Sequence, residues 1–367
     1  MTPGAARAAI ESELLAWMRD EPERDDERRF ERLALALFAH QFESNVPYGR
    51  FCAARGSTPA TVAAWRDIPA VPSGAFKELA LRCFPAERTV RVFRTSGTSQ
   101  AKRGELHLDT LALYEAALVP SFEAGVLPDL AAGEKLPCFV LAPSPLEAPD
   151  SSLSHMFGVM LARRGTPESG FFVQGGALAI DALLGALEAA SKAPKLLLCG
   201  SAFAFVHLLE ASEARGLRLA LPAGARIMET GGFKGRSREL SRETLHGWIE
   251  ERLGVPPAHS VNQYGMTELG SQFYDSVLRA PGAVRRKLVP PWTRVRIVDP
   301  ESGRDVPSGE VGAIRIVDLA NTGSVLAVTT ADLGRALGDG FEVLGREAGA
   351  EARGCSIAAD EMLLASG

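Results

Sequence analysis

Residues 94–108 read RTSGTSQAKRGELHL, after a β-favouring run, TVRVF, at 89–93. Small or hydroxylated residues crowd together there: Thr95, Ser96, Gly97, Thr98 and Ser99. Two cations follow, Lys102 and Arg103, and then LDTLALYEAALVPSF, whose composition favours a helix. A strand, a loop of bare backbone and hydroxyls, and a helix N-terminus form a general anion geometry. Backbone N–H groups and the positive helix end both favour a phosphate, and Lys102 would add a point charge. The pattern is neither GxxxxGK[ST] nor GxGxxG. A plain connecting loop is the competing reading, and the rest of the chain has to decide.

Ser99 and Lys102 also stand in SxxK spacing, the arrangement of an acyl-serine enzyme. The SDN and KTG tripeptides that accompany it do not occur in this chain. Composition narrows the class further. The chain has 367 residues, 46% hydrophobic and 23% charged, with a net charge of -5. At about 100–200 residues per domain this suggests a large domain with a smaller one, or two domains. No basic stripe points to nucleic acid, and no apolar run approaches the roughly 18 residues of a membrane helix. Acidic residues arrive too early in MTPGAARAAIESELLAW for a secretory signal, so a cytoplasmic location is expected. The five cysteines, Cys52, Cys83, Cys138, Cys199 and Cys355, show no CxxC spacing, which argues against a zinc site or disulfide framework. Cys355 stands apart from the others, in ARGCSIAADE.

Residues 8–44 show apolar positions at mixed i+3/i+4 spacing, including Leu14, Leu15, Met18, Leu33, Leu35, Leu37 and Phe38, and predict helices. After residue 90 strand-like runs (138–142, 195–199, 226–229, 293–298, 312–317) alternate with helical ones (108–125, 177–191, 202–215, 238–253). That alternation predicts an α/β fold with a largely parallel sheet. Residues 286–345 hold short β runs with Gly/Pro turns and read as a β-rich subdomain. The expected division is a helical segment at 1–90, a main core at 91–345 and a tail at 346–367 that carries Cys355.

Three further stretches could carry chemistry. In ETGGFKGRSREL (229–240), Gly231 and Gly232 permit close backbone approach by a flat ligand; a tight turn is the alternative. In NQYGMTELGSQFYD (262–275), Tyr264, Gly265, Thr267 and Glu268 place an aromatic face, a glycine, a hydroxyl and a carboxylate within five residues. A nucleotide with Mg²⁺ needs such a set; a strand-to-loop turn with a buried tyrosine would also account for it. In TTADLGRALGDGFEVLGR (329–346), Asp332 is expected to follow a strand, where a carboxylate can accept from ribose hydroxyls, and Arg346 closes the stretch.

Taken in order, these motifs resemble the adenylate-forming superfamily of acyl-CoA synthetases, peptide-synthetase adenylation domains and firefly luciferase. TSGTSQAKRGEL is similar to its phosphate loop, QYGMTE to its YGxTE motif, and TADLGR…GR to its TGDLGR…GR motif, with Ala331 in the usual glycine position. VPSGAFKELAL, LAPSPLEAPDSSLSHM, IMETGGFKGRSREL and GAEARGCSIAADE resemble one branch, the LuxE-like acyl-protein synthetases of the luminescence fatty acid reductase complex, relatives of phenylacetate–CoA ligase.

The resemblance implies an adenylate-forming large domain with a β-rich subdomain. Typical members carry a rotating lid with a catalytic lysine beyond the GR motif; residues 347–367 imply a strongly shortened lid. It also implies ATP and Mg²⁺ as cofactors, a carboxylic acid substrate of the fatty acyl class, and a reductase or acyltransferase partner. Carried over by motif, Thr95–Ser99 and Lys102 would meet the phosphates, Thr267 the α-phosphate, and Glu268 the Mg²⁺. Tyr264 would pack on adenine beside Gly231 and Gly232, with Gly265 next to it, while Asp332 and Arg346 would hold the ribose side. His155 and Phe233 are candidates for the acyl side, and Cys355 for the thiol that takes the acyl group, with Arg353 lowering its pKa. Three readings stay open: an acyl-protein synthetase, a ligase passing acyl to CoA or a carrier, and a non-catalytic binding subunit.

Overall fold

The computed structural model describes residues 3–95, 102–231 and 240–346. Helices α1 (Pro3–Asp20), α2 (Glu27–Ser44) and α3 (Val46–Ala54) come first, then strand β1 (Val71–Pro72), the single turn α4 (Ala75–Glu78), and strands β2 (Arg91–Arg94) and β3 (Glu105–Leu108). Next are α5 (Ala112–Val126), β4 (Cys138–Leu141), α6 (Ser152–Arg164), the short strands β5 (Gly170–Phe171), β6 (Val173–Gln174) and β7 (Ala177–Leu178), and α7 (Ile180–Ala189). β8 (Lys195–Ser201), α8 (Ala202–Ala214), β9 (Gly224–Thr230), α9 (Arg242–Leu253), β10 (Ser260–Tyr264) and β11 (Phe273–Tyr274) follow. After them run β12 (Lys287–Leu288), β13 (Thr293–Val298), β14 (Gly312–Asp318), β15 (Ala327–Leu337) and β16 (Gly340–Arg346).

These elements fall into two compact units. One holds residues 122–265 and 273–286. Its sheet has the order β11-β10-β9-β8-β4-β5. All neighbours are parallel except β11, which pairs antiparallel with β10. β8 and β9 each bury their central residues without alternation. A strand covered on both faces reads that way: β8 as the apolar run Leu196–Cys199, β9 with Arg226 and Glu229 buried beside Ile227 and Met228. Phe139, Leu198 and Ile227 from the strands share a core with Leu183, Phe205, Leu209, Leu245 and Ile249 from α7, α8 and α9. Each fully buried side chain of this kind contributes about 1.5–3 kcal/mol. Helix starts are set locally: the hydroxyls of Ser201 and Ser241 accept from backbone N–H groups in the first turns of α8 and α9. Gly254 ends α9 with φ +71°, a left-handed conformation that needs glycine.

The other unit holds residues 3–121, 266–272 and 287–346 among the described residues. Its main sheet is antiparallel, in the order β12-β16-β15-β14-β13, with β1 alongside β15 in parallel. Against the expected helical face, α2 buries Phe30, Leu33, Ala34, Leu37, Phe38 and Gln41, an i, i+3, i+4, i+7 stripe. Leu35 is only half-buried. The Asp26 side chain caps the helix by accepting from Arg29 N at 2.9 Å.

The opening stretch departs from its expected form. Residues 105–108 are a strand, not the approach to a helix. β3 pairs antiparallel with β2, Phe93 facing Leu106 and Arg94 facing Glu105. Its side chains alternate, Leu106 and Leu108 inward, Glu105 and His107 outward. α5 begins only at Ala112. The small-residue loop therefore connects two strands of a hairpin, and no helix N-terminus follows it to favour an anion.

Candidate active site

The hairpin places Thr95 and Gly104 at the two ends of the small-residue loop. Thr95 N donates to Gly104 O at 2.9 Å, and Gly104 N donates to Thr95 Oγ1 at 2.9 Å. Arg103 Nε donates to Thr95 O at 2.6 Å. Glu268 reaches the same place. A Cβ added to Gly104 would lie 3.1 Å from Thr95 Cγ2 and 3.5 Å from Glu268 Oε1. Gly104 thus lets the Thr95 side chain and the Glu268 carboxylate crowd against one point. Ser96, Gly97, Thr98 and Ser99 lie outside the described residues. Lys102 points its ammonium at Glu78 Oε2, 2.7 Å away, with both side chains largely in solvent. An exposed pair of this kind is worth about 0–1 kcal/mol, so Glu78 does little to hold Lys102 back from a phosphate.

The Tyr264–Glu268 motif crosses between the units. Tyr264 and Gly265 belong with residues 122–265, Thr267 and Glu268 with residues 266–272. Tyr264 ends β10, half-buried, its ring tilted 40° to that of Phe273 with centroids 6.2 Å apart. Gly231 follows β9 in the same unit with φ +84°, and a Cβ there would meet nothing within 4 Å. The two strand ends are tied together by Thr230 Oγ1, which donates to Gln263 Oε1 and, at 3.3 Å, to Gln263 O. Beneath them lies a buried polar set that sequence reading did not single out. Glu229 Oε1 accepts from Asn262 Nδ2 at 2.8 Å and pairs with His246 Nε2 at 3.3 Å. Gly232 and Phe233 lie outside the described residues.

In the other unit Thr267 and Glu268 form a buried turn, 9% and 6% exposed, closed by Leu269 N donating to Met266 O at 3.2 Å. Asp332 lies inside β15 rather than after a strand, because β15 continues to Leu337 before turning into β16. Its backbone pairs in register with that of Arg346 on the adjacent strand. A bulge follows at once, between Leu333 and Gly334. Asp332 N donates to Thr330 Oγ1 at 3.1 Å. His155 is half-buried in the first turn of α6. Cys355 lies outside the described residues.

The donor set fits a nucleotide with a divalent ion. Thr95 Oγ1, Thr267 and the Glu268 carboxylate offer oxygens, and Mg²⁺ is ordinarily held by one or two carboxylates plus phosphates and water. Sequence reading did not single out Gly104, whose lack of a Cβ leaves room for Thr95 and Glu268.

The fold is that of the adenylate-forming enzymes. The structure resembles 2-hydroxyisobutyryl-CoA ligase in an open conformation with 2-HIB-AMP and CoA, at 16% identity and TM-score 0.64, covering 90% of this chain and 75% of that one. The postadenylation state of that ligase gives 15% and TM-score 0.63, covering 89% and 69%. ATP-bound MatB from Rhodopseudomonas palustris gives 18% and TM-score 0.49, covering 73% of this chain and about half (50%) of that one. More specifically, the chain belongs to the family described as acyl-protein synthetase, LuxE, whose profile matches residues 167–364. Among curated proteins it is 26% identical over 110 residues to the long-chain-fatty-acid--luciferin-component ligase of Aliivibrio fischeri. That match spans 29% of this chain and 28% of that ligase. Among the described residues no helix is long and apolar enough to cross a membrane.

Proposed function

We propose that this chain activates a carboxylic acid of the fatty acyl class with Mg·ATP and transfers the acyl group to the Cys355 thiol, for delivery to a reductase or acyltransferase. The observation that carries this reading is the family match over residues 167–364, which takes in the Tyr264–Glu268, Asp332–Arg346 and Cys355 motifs together. Juxtaposition of Thr95, Gly104 and Glu268 supports it from geometry.

In the first half-reaction a carboxylate oxygen of the acid bonds to the α-phosphorus. The bond to the β-phosphate oxygen breaks, and pyrophosphate leaves. Such transfers are accelerated mostly by positioning and charge stabilisation. Thr95–Ser99 and Lys102 take the phosphates, Thr267 the α-phosphate, Asp332 and Arg346 the ribose side. Tyr264, Gly265, Gly231 and Gly232 take the adenine. Glu268 would hold Mg²⁺, which when bound would supply charge neutralisation at the phosphates. His155 and Phe233 are assigned to the acyl side. In the second half-reaction the Cys355 thiolate attacks the acyl carbonyl, the carbon–oxygen bond to AMP breaks, AMP leaves, and a thioester remains.

The test is to incubate the whole chain with Mg·ATP and carboxylic acids from short to long, and to read its intact mass. An added acyl mass, removed by hydroxylamine and mapped to Cys355, is the expected result. Cys355→Ala should keep ATP–pyrophosphate exchange but lose the label. Pyrophosphate release only with CoA or a carrier present would transfer the chain to the acyl-CoA ligase reading. No exchange with any acid would leave a binding subunit.

A further inference from the structure

Glu268 sits on a turn that is held from outside by a chain of buried side chains. Asn321 Nδ2 donates to the Glu268 carbonyl at 3.0 Å. The Asn321 carbonyl in turn accepts from Gln41 Nε2 of α2 at 2.9 Å, and Gln41 Oε1 accepts from Leu326 N at 2.8 Å. Just past Glu268, Asp318 at the end of β14 accepts from Gly270 N at 2.9 Å and from Ser271 Oγ at 2.8 Å, and it also accepts from Ala320 N at 3.0 Å. Ser271 Oγ accepts from Trp292 Nε1 at 3.1 Å. Gly270 is pressed so closely on Ala320 that a Cβ would lie 3.0 Å from its backbone carbonyl carbon. Gln41, Ser271 and Asp318 are 0–1% exposed, and Asn321 is 2% exposed.

A fold that needed only stability could fill this space with apolar side chains, since buried polar groups are costly unless every partner is met. What such a network does supply is one geometry. Two of its bonds end on the backbone of this turn, at Glu268 O and Gly270 N, and a third on the Ser271 hydroxyl. From this we infer that Asp318 and Asn321 are positioning residues that fix the Glu268 carboxylate beside Thr95 for the metal–nucleotide complex. The inference rests on the role proposed for Glu268 and deepens it.

Loss of a supporting hydrogen bond behind a metal-binding carboxylate typically weakens metal affinity or turnover about 10–100-fold. The test measures two quantities in Asp318→Asn, Asn321→Ala and the milder Ser271→Ala. One is Mn²⁺ affinity in the presence of a non-hydrolysable ATP analogue, by electron paramagnetic resonance. The other is kcat and KM for ATP–pyrophosphate exchange. Expected are a loss of about tenfold or more in Mn²⁺ affinity and in kcat, and a KM for the acid within about threefold of wild type. Adding Asp318→Asn to Glu268→Gln should cost little further, because the supported group is already gone. Wild-type Mn²⁺ affinity in all three variants, or losses that multiply fully with Glu268→Gln, would overturn the inference. Should the wild-type chain show no exchange at all, the acid-activation reading fails while the Mn²⁺ titration still decides this one. Should Asp318→Asn not fold, Ser271→Ala removes a single donor to the same carboxylate and carries the comparison.

Discussion

Replacing Asp318 with Asn should change how unfolding depends on pH, in a direction set by burial. The side chain is fully buried, and burial pushes its carboxyl up from 3.8 to about 6, against the opposing pull of hydrogen bonds from Ser271, Ala320 and Gly270. The folded state therefore holds this proton more tightly than the unfolded chain. Below about pH 4 both states are protonated and the carboxyl carries no ionisation penalty. As pH rises through the window from about 4 to 6, the unfolded chain ionises first and stability is lost; above that window both states are ionised and the loss levels off. A gap of about two pH units at about 1.4 kcal/mol each makes a total of about 3 kcal/mol. Asparagine has no such titration. Urea unfolding of wild type and Asp318→Asn from about pH 4 to 8, followed by tryptophan fluorescence, gives the difference in unfolding free energy at each pH. That difference should shift toward the asparagine variant by about 2–3 kcal/mol as pH rises. A difference that stays flat, or that moves in favour of wild type, would mean that the donors outweigh burial, and the reasoning would be wrong.

Glu268→Gln and Lys102→Ala should each lower ATP–pyrophosphate exchange by about 10²–10³, the loss that follows removal of a preorganised charge contact; wild-type rates in both would remove these two from the site. Burial pushes the thiols of Cys52, Cys83 and Cys138 up to about 12, and that of Cys199 up as well. Titrating the native chain at about pH 8 with an aromatic disulfide should therefore find no more than one of the five cysteines reacting quickly, and all of them in denaturant. Gly125→Ala would put a Cβ 2.3 Å from Tyr274 Cβ, and should cost about 1–3 kcal/mol in thermal unfolding. Gly185→Ala, in helix α7 with nothing within 4 Å, should instead gain about 0.5–1 kcal/mol.

The parallel sheet was legible because its signal is local. LLLCG in β8 is an apolar run of the kind a strand covered on both faces carries, and the strand-like and helical runs alternate along residues 138–253. Residues 105–108 stayed unassigned for the opposite reason. Four residues are too few for alternation to speak, and what makes ELHL a strand is pairing with residues 91–94, across the small-residue loop. The same division governs the site. Chemistry that must lie within a few residues, such as Tyr264 to Glu268, leaves a contiguous trace. Support that arrives from far along the chain does not: Gly104 precedes Glu268 by more than a hundred residues, Asp318 reaches back 48 positions to Gly270, and Gln41 reaches forward 280 to Asn321. Residues that hold a reacting group in place need only the right backbone atom opposite them. No sequence spacing constrains that choice, so the parts of this site most open to discovery by structure are its supports rather than its chemistry.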